Sequence, residues 1–429
     1  MCLARRWSSS NDGSGTQFNP DPMKLILSFI ALLLFAPLAS AVAKPLKVFI
    51  LAGQSNMQGH AEIGTFDYLG DDPATAPILK EMRDADGRPR VCDQVWISSI
   101  GCLGDAYTDL TEKKGKLTTG FGAPEGKIGP EFTFGIYAAK QIGAPILLIK
   151  TAWGGRSLHT DFRPPGAGAY LWSDYELAQR KERGEDLEKT RAEKVAETGV
   201  YYRQMIADVK KVLADPKRVY PDYDAAQGVE LAGFVWMQGF NDLVSDWTYD
   251  QQRKPGGYQL YADLLAQLIR DVRKELSAPK LPVVIGVMGI DGVAADQKPP
   301  QRHFRQAQKA VATLPEFAGT VTAVETAPFW SEELGAIADK QERVSQMSYF
   351  LDTKHKDHAN AEGQMTDEQK REYLKKFEAK TITRAEAELW KRGASNGGYH
   401  YLGCAKTFAL MGKAFAQATL AMSSNTKPQ

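Results

Sequence analysis

Leu46-Lys-Val-Phe-Ile-Leu-Ala-Gly-Gln-Ser-Asn-Met-Gln58 is the stretch on which the fold turns. A β-branched and aliphatic run stops at Gly53, and Ser55 comes two residues later. A continuous apolar run of this length, closed by glycine, predicts a buried strand that gives way to a helix at Ser55. In open α/β sheets the crevice at the carboxyl ends of the strands is where ligands bind. A serine there is either a helix cap or a nucleophile held over backbone N–H groups.

The same pattern recurs along the chain. Leu46–Ala52, Val95–Ile100, Pro145–Thr151, Gly233–Gln238, Pro282–Met288 and Gly319–Val324 read as buried strands. Amphipathic segments lie between them: Glu131–Ile142, with Gly143 as its C-cap, Tyr202–Leu213, Tyr258–Leu276 and His303–Leu314. Leu402–Leu420 closes the series. Apolar strands alternating with helices predict an α/β fold with a parallel sheet covered on both faces. Two charge-dense stretches break the rhythm. Asp174–Glu197 and Thr366–Arg392 read as exposed helical insertions, near 170–200 and 352–395, and Thr366-x-x-Gln369 is a capping-box pattern.

The chain has 429 residues, 24% of them charged, with a formal net charge of +1. That balance argues against a nucleic-acid or anionic-membrane partner, since both need clustered excess Lys and Arg. Residues 23–43 read as a signal peptide: Met23-Lys24, an apolar core Leu25–Leu38, then small-x-small sites around Ala41. Residues 1–22 read as an upstream extension, 44–422 as a single domain, and 423–429 as a tail. The expected location is therefore periplasmic or secreted, with no lasting membrane anchor after cleavage. Of the four cysteines, Cys92, Cys102 and Cys404 belong to the mature chain. Cys92 and Cys102 are the closest pair for a disulfide, and the spacing is not that of a metal site. His355-x-Asp357-His358 invites a metal reading, but Lys354 and Lys356 beside it oppose one. No metal or cofactor is expected.

The residues just past each strand narrow the chemistry. Gln54-Ser55-Asn56 comes after the first, Trp153-Gly154-Gly155-Arg156-Ser157 after the third, and Gln238-Gly239-Phe240-Asn241-Asp242 after the fourth. These are a hydroxyl, glycine N–H groups and carboxamides, the parts that acyl transfer needs. His400, in a glycine-flanked loop before the last helix, is the candidate base; His60 falls on the loop after Ser55. There is no Gly-x-Ser-x-Gly elbow around Ser55 and no P-loop.

Taken together, Gly53-Gln-Ser-Asn-Met57, Thr151-Ala-Trp-Gly-Gly-Arg-Ser157, Trp236-Met-Gln-Gly239, Phe304-Arg-Gln-Ala-Gln308 and His400 with Gly403 resemble, in order, the blocks of the SGNH-hydrolase superfamily. Within it they resemble the sialate O-acetylesterase-like carbohydrate esterases, which include acetylxylan esterases. The resemblance implies a flavodoxin-like three-layer sandwich and a secreted serine esterase that removes O-acetyl groups from carbohydrate through an acyl-enzyme. It implies Ser55 as nucleophile and His400 as base. The oxyanion would be held by the N–H groups of Ser55 and of Gly154 or Gly155, and by the Gln238 side chain. Gln54, Asn56, Arg156, His159 and Asn241 would order the pocket or contact substrate.

Two departures stand out. Phe240 occupies the place of a family glutamate, and Gly397 the place of the aspartate three residues before the histidine. Asp242 is the first substitute for the missing acid. Glu325, Asp352 and Asp357 come next, and a carbonyl behind the imidazole is a further arrangement. The missing acids also admit a non-catalytic glycan-binding protein on the same scaffold, and a wide apolar pocket would admit an esterase for lipid or small aryl esters.

Overall fold

A computed structural model of the chain describes residues 44–102, 110–124 and 126–425. The expected leader and upstream extension, and the last four residues, lie outside the described residues. β1 (Leu46–Gly53) pairs in parallel with β4 (Ile146–Ala152) on one side and β5 (Val229–Met237) on the other. The sheet continues through β2 (Val95–Ile100) to the antiparallel edge strand β3 (Glu112–Lys116), and through β6 (Val283–Val287) to β7 (Val321–Glu325). Its order is β3-β2-β4-β1-β5-β6-β7. Every strand outward from β1 runs parallel to its neighbour except the edge strand β3, and β1 sits at the centre, as in doubly wound sheets where ligand crevices open.

Burial explains why these segments are strands. In β4 every residue is buried, and in β1 all but Lys47. A strand with no solvent face needs helices on both sides, and the continuous Val/Ile/Leu runs provide apolar atoms for both. The described helices are α1 (Glu131–Ile142), α2 (Asp174–Glu182), α3 (Leu187–Glu197), α4 (Val200–Ala214), α5 (Gln259–Glu275), α6 (Pro299–Val311), α7 (Glu332–Asp352), α8 (Asp367–Thr381), α9 (Arg384–Gly393) and α10 (Ala405–Asn425), with several shorter turns between them. α10 packs on α1 and along β5, β6 and β7, while α5 and α6 pack on each other. Residues from Lys44 onward make one compact unit.

Several expectations need correction. The helix after β1 is a single turn, Ser55–Gln58. α7 begins at Glu332, well before the expected insertion at 352, and β3, composed of Glu-Lys-Lys-Gly-Lys, was not anticipated. Cys92, Cys102 and Cys404 are all buried free thiols, so Cys92 and Cys102 are not bonded. α2 and α3 are largely exposed, and the Thr366–Gln369 capping box forms at the start of α8.

Candidate active site

Strand register builds the site. Gly53 lies level with Ala152 on β4 and with Met237 on β5. The loops that open with Gln54, Trp153 and Gln238 therefore leave the sheet at one edge, side by side. Gly53 is obligatory there, because a Cβ would fall 2.0 Å from the Met237 carbonyl oxygen. Gly154 lies against the turn Ser55–Gln58. A Cβ on it would come within 2.9 Å of Gln58 Oε1 and 3.8 Å of Ser55 Cβ.

Ser55 is the first residue of the turn rather than its cap. Gln54 holds the cap position without a side-chain cap bond. Among the described residues no hydrogen bond engages Ser55 Oγ, and none joins it to His400. The turn itself is held from below. The ammonium of buried Lys150 donates to the carbonyl of Gln58 (2.5 Å) and of Phe121 (2.7 Å), and pairs with Glu131 (2.8 Å). Glu131 in turn accepts from the Gly129 N–H at 2.9 Å. With both partners fully buried, this charge pair persists because each group has several hydrogen-bond partners.

The chain brings His400 to this edge across most of its length. Asn56 Nδ2 donates to the carbonyl of Tyr399 at 3.1 Å, linking the residue after the serine to the residue before the histidine. Behind the imidazole, Nδ1 lies 3.0 Å from Asn396 Oδ1. That oxygen also accepts the Gly397 N–H at 2.8 Å, which fixes which amide atom faces the ring. Nδ1 is therefore the protonated nitrogen, and Nε2 carries the lone pair of a base. One face of the ring is covered by His60, stacked at 3.7 Å and 4°. Burial, and after it the Lys127 ammonium, hold His400 down at about 4. His60 is pushed down to about 3, chiefly by burial and next by His400.

The loop that carries His400 is strained. Tyr401 and Leu402 both take left-handed backbone conformations, at φ 50° and 61°. Such residues persist only where their surroundings fix them. Tyr401 is fully buried, and its hydroxyl accepts the Gly289 N–H and meets Thr326 Oγ1, each at 2.7 Å. Leu402 is buried in a cluster with Leu334 and Ile337 of α7.

Three of the expected acids are engaged elsewhere than at His400. Asp242 is fully buried and is not bonded to His400. Its carboxylate accepts from the N–H groups of Leu158 (2.7 Å) and His159 (3.1 Å), from Gln238 Nε2 (2.6 Å) and from the Tyr249 hydroxyl (2.8 Å). It gathers donors from the segment that follows the Gly-Gly loop, and burial raises its pKa to about 6. Glu325 pairs with Lys309 and Asp352 with Lys370, so neither replaces it.

Gln238 is also committed. Its Nε2 faces Gln54 Oε1, the Arg156 carbonyl and Asp242, three acceptors for two hydrogens, which leaves none for an oxyanion. Gln54 and Asn56, 2% and 3% exposed, are held by hydrogen bonds within the fold. Gln54 Oε1 accepts the Gly239 N–H, and its Nε2 donates to Asn241 Oδ1 at 2.9 Å. That bond turns the Asn241 amide nitrogen away from Gln54. Asn241 lines a cavity of about 510 Å³ with Gly155, Arg156, His159 and Tyr201. There the Arg156 guanidinium lies 4.2 Å from the Tyr201 ring and 3.3 Å from Asp161. Sequence reasoning missed Asn396 and the stacking of His60. Nothing in a lone asparagine four residues before a histidine signals the contact.

A match to the family described as carbohydrate esterase, sialic acid-specific acetylesterase, runs over residues 45–327. No individual curated protein matches the sequence. Among solved structures, a protein of Arabidopsis thaliana is similar at 18% identity and a TM-score of 0.36, covering 66% of this chain and 86% of its own. A carbohydrate acetylesterase from Xanthomonas citri is similar at 16% identity and a TM-score of 0.35, covering 66% of this chain and 50% of its own. With most of the chain matched, and with the matched blocks meeting at one sheet edge, this protein belongs to the sialic acid-specific acetylesterase family of carbohydrate esterases.

Proposed function

We propose that this protein is an exported serine esterase that releases acetate from O-acetylated carbohydrate through an acyl-enzyme, with Ser55 as nucleophile and His400 as base. The observation that carries the reading is the bond from Asn56 to the Tyr399 carbonyl, which seats the far end of the chain beside the serine. His400 Nε2 takes the Ser55 proton as Oγ attacks the ester carbon. The backbone N–H groups of Ser55 and of Gly154 or Gly155, with the Asn241 amide in place of Gln238, face the developing oxyanion. His400 returns the proton to the departing sugar oxygen, and water then releases acetate by the same route in reverse. Asn396 orients the imidazole where relatives use a carboxylate. The leader-like sequence 23–43 supports export.

Ser55→Ala tests the mechanism. Acetate release from acetylated xylan is expected to fall by about 10⁴-fold or more, with the melting temperature nearly unchanged. An organophosphonate ester is expected to label Ser55 in the wild-type chain. Unlabelled serine with no acetate released would instead identify a glycan-binding protein on an esterase scaffold.

A further inference from the structure

The leaving alcohol of an ester must sit where the general acid can reach its oxygen, so the sugar half of the substrate lies on the His400 side of Ser55. That side is aromatic. The Tyr399 ring, half exposed, lies 4.4 Å from the His400 ring, and the Phe240 ring lies 6.1 Å beyond it. Phe240 then forms the wall of a second cavity, about 590 Å³ in volume, lined also by Met288 and Phe304. Gln252, Arg253 and Asp291 are among the polar groups that line it. A small void of about 10 Å³ shares Phe240 and Met288 with that cavity and is lined on its other side by Gln54 and Asn56, which flank Ser55.

We propose that the Tyr399–Phe240 shelf and the cavity behind it form the subsite for the sugar chain that carries the acetyl group, and that the preferred substrate is an oligosaccharide rather than a single sugar. The proposal rests on the esterase reading above. A sugar ring offers a flat C–H face and an edge of hydroxyls, which calls for aromatic walls edged with hydrogen-bonding groups. The volume falls within the range of ligand pockets, about 300–1,000 Å³. Asp291 stands at φ 63°, a backbone conformation costly for a non-glycine residue and frequent at ligand sites.

The test compares chemically acetylated xylotetraose with 4-nitrophenyl acetate, whose alcohol half is too small to span the shelf and the cavity. Tyr399→Ala and Phe240→Ala are each expected to lower kcat/KM for the tetraose about tenfold more than for the aryl ester, mainly through KM. Val244→Trp, which fills the cavity from an exposed position in its lining, is expected to raise KM for the tetraose in the same way. Equal losses on both substrates, or an unmoved KM for the tetraose in all three variants, overturn the subsite and leave the esterase standing. A wild-type chain that cleaves the aryl ester but releases no acetate from the tetraose overturns the carbohydrate reading and the subsite with it.

Discussion

His400 meets a carboxamide, that of Asn396, rather than a carboxylate, and with burial and Lys127 this contact sets the pH behaviour expected of the protein. Buried, stacked on His60 and near Lys127, the imidazole has no carboxylate paired with it among the described residues to favour its charged form. In the proposed mechanism only the neutral ring can take a proton from Ser55. With its pKa held at about 4, activity should be level from neutral pH down to about 5 and fall as the pH drops through 4. Asn396→Asp puts a negative charge behind Nδ1 and stabilises the imidazolium. The acid limb of kcat/KM should then move upward by about 1–3 units. A pH–rate profile with 4-nitrophenyl acetate checks this, and an unmoved limb would show that Asn396 does not face the working base. Ser55 and His400 stand out as candidates in the sequence because strand-end glycines and a glycine-bound histidine are chemical signposts. Asn396 does not, because an asparagine in a polar loop has many ordinary reasons to be there.

Elements were legible in proportion to their apolar content. The parallel strands were read from buried runs, and α5 from apolar residues at three- and four-residue steps. β3 was not, since a charged edge strand carries no alternation and its charges guard against edge pairing. α7 was missed for a related reason. Over 21 residues it buries only Leu334, Ile337 and Leu351, too few to mark a helical face. The one-turn helix at Ser55 was over-read, because a strand followed by a serine gives no measure of helix length. The segment that follows the Gly-Gly loop is an element of another kind, in which a buried carboxylate gathers backbone and side-chain donors. Asp242→Ala would leave the Leu158 and His159 N–H groups, the Tyr249 hydroxyl and part of the Gln238 amide without their acceptor. Unpaired buried donors cost about 1–3 kcal/mol each, so urea unfolding should show a loss of about 3 kcal/mol or more. A smaller loss would mean that water reaches the loop and replaces the carboxylate.

At the scale of the whole molecule, the family match stops at residue 327, but the structure does not. The candidate base and the final helix lie beyond it, and both are built into the core. α10 buries Phe408, Met411 and Phe415 completely, and Thr133 of α1 donates to the Ala409 carbonyl at 2.9 Å. Gly412 sits so close to α1 that a Cβ would meet the Pro130 carbonyl oxygen at 2.1 Å. The helix thus closes one face of the sheet, and the loop before it delivers His400 to the carboxyl end of the chain's first strand. A protein ending at Gly393 would lose both at once. Each of those three side chains contributes about 1.5–3 kcal/mol on burial, and together they rival the roughly 5–15 kcal/mol that holds a typical domain folded. The exposed surface of α1 and of β5 to β7 would add an apolar face with nothing to cover it. The truncated chain is therefore expected to show no cooperative thermal transition and no esterase activity. His400→Ala in the full-length chain should keep the transition near its wild-type temperature while losing turnover. Calorimetry and acetate release on the two proteins separate the roles. A truncated chain that still unfolds cooperatively would place the folding unit inside the matched residues and make the C-terminal segment an accessory to catalysis alone.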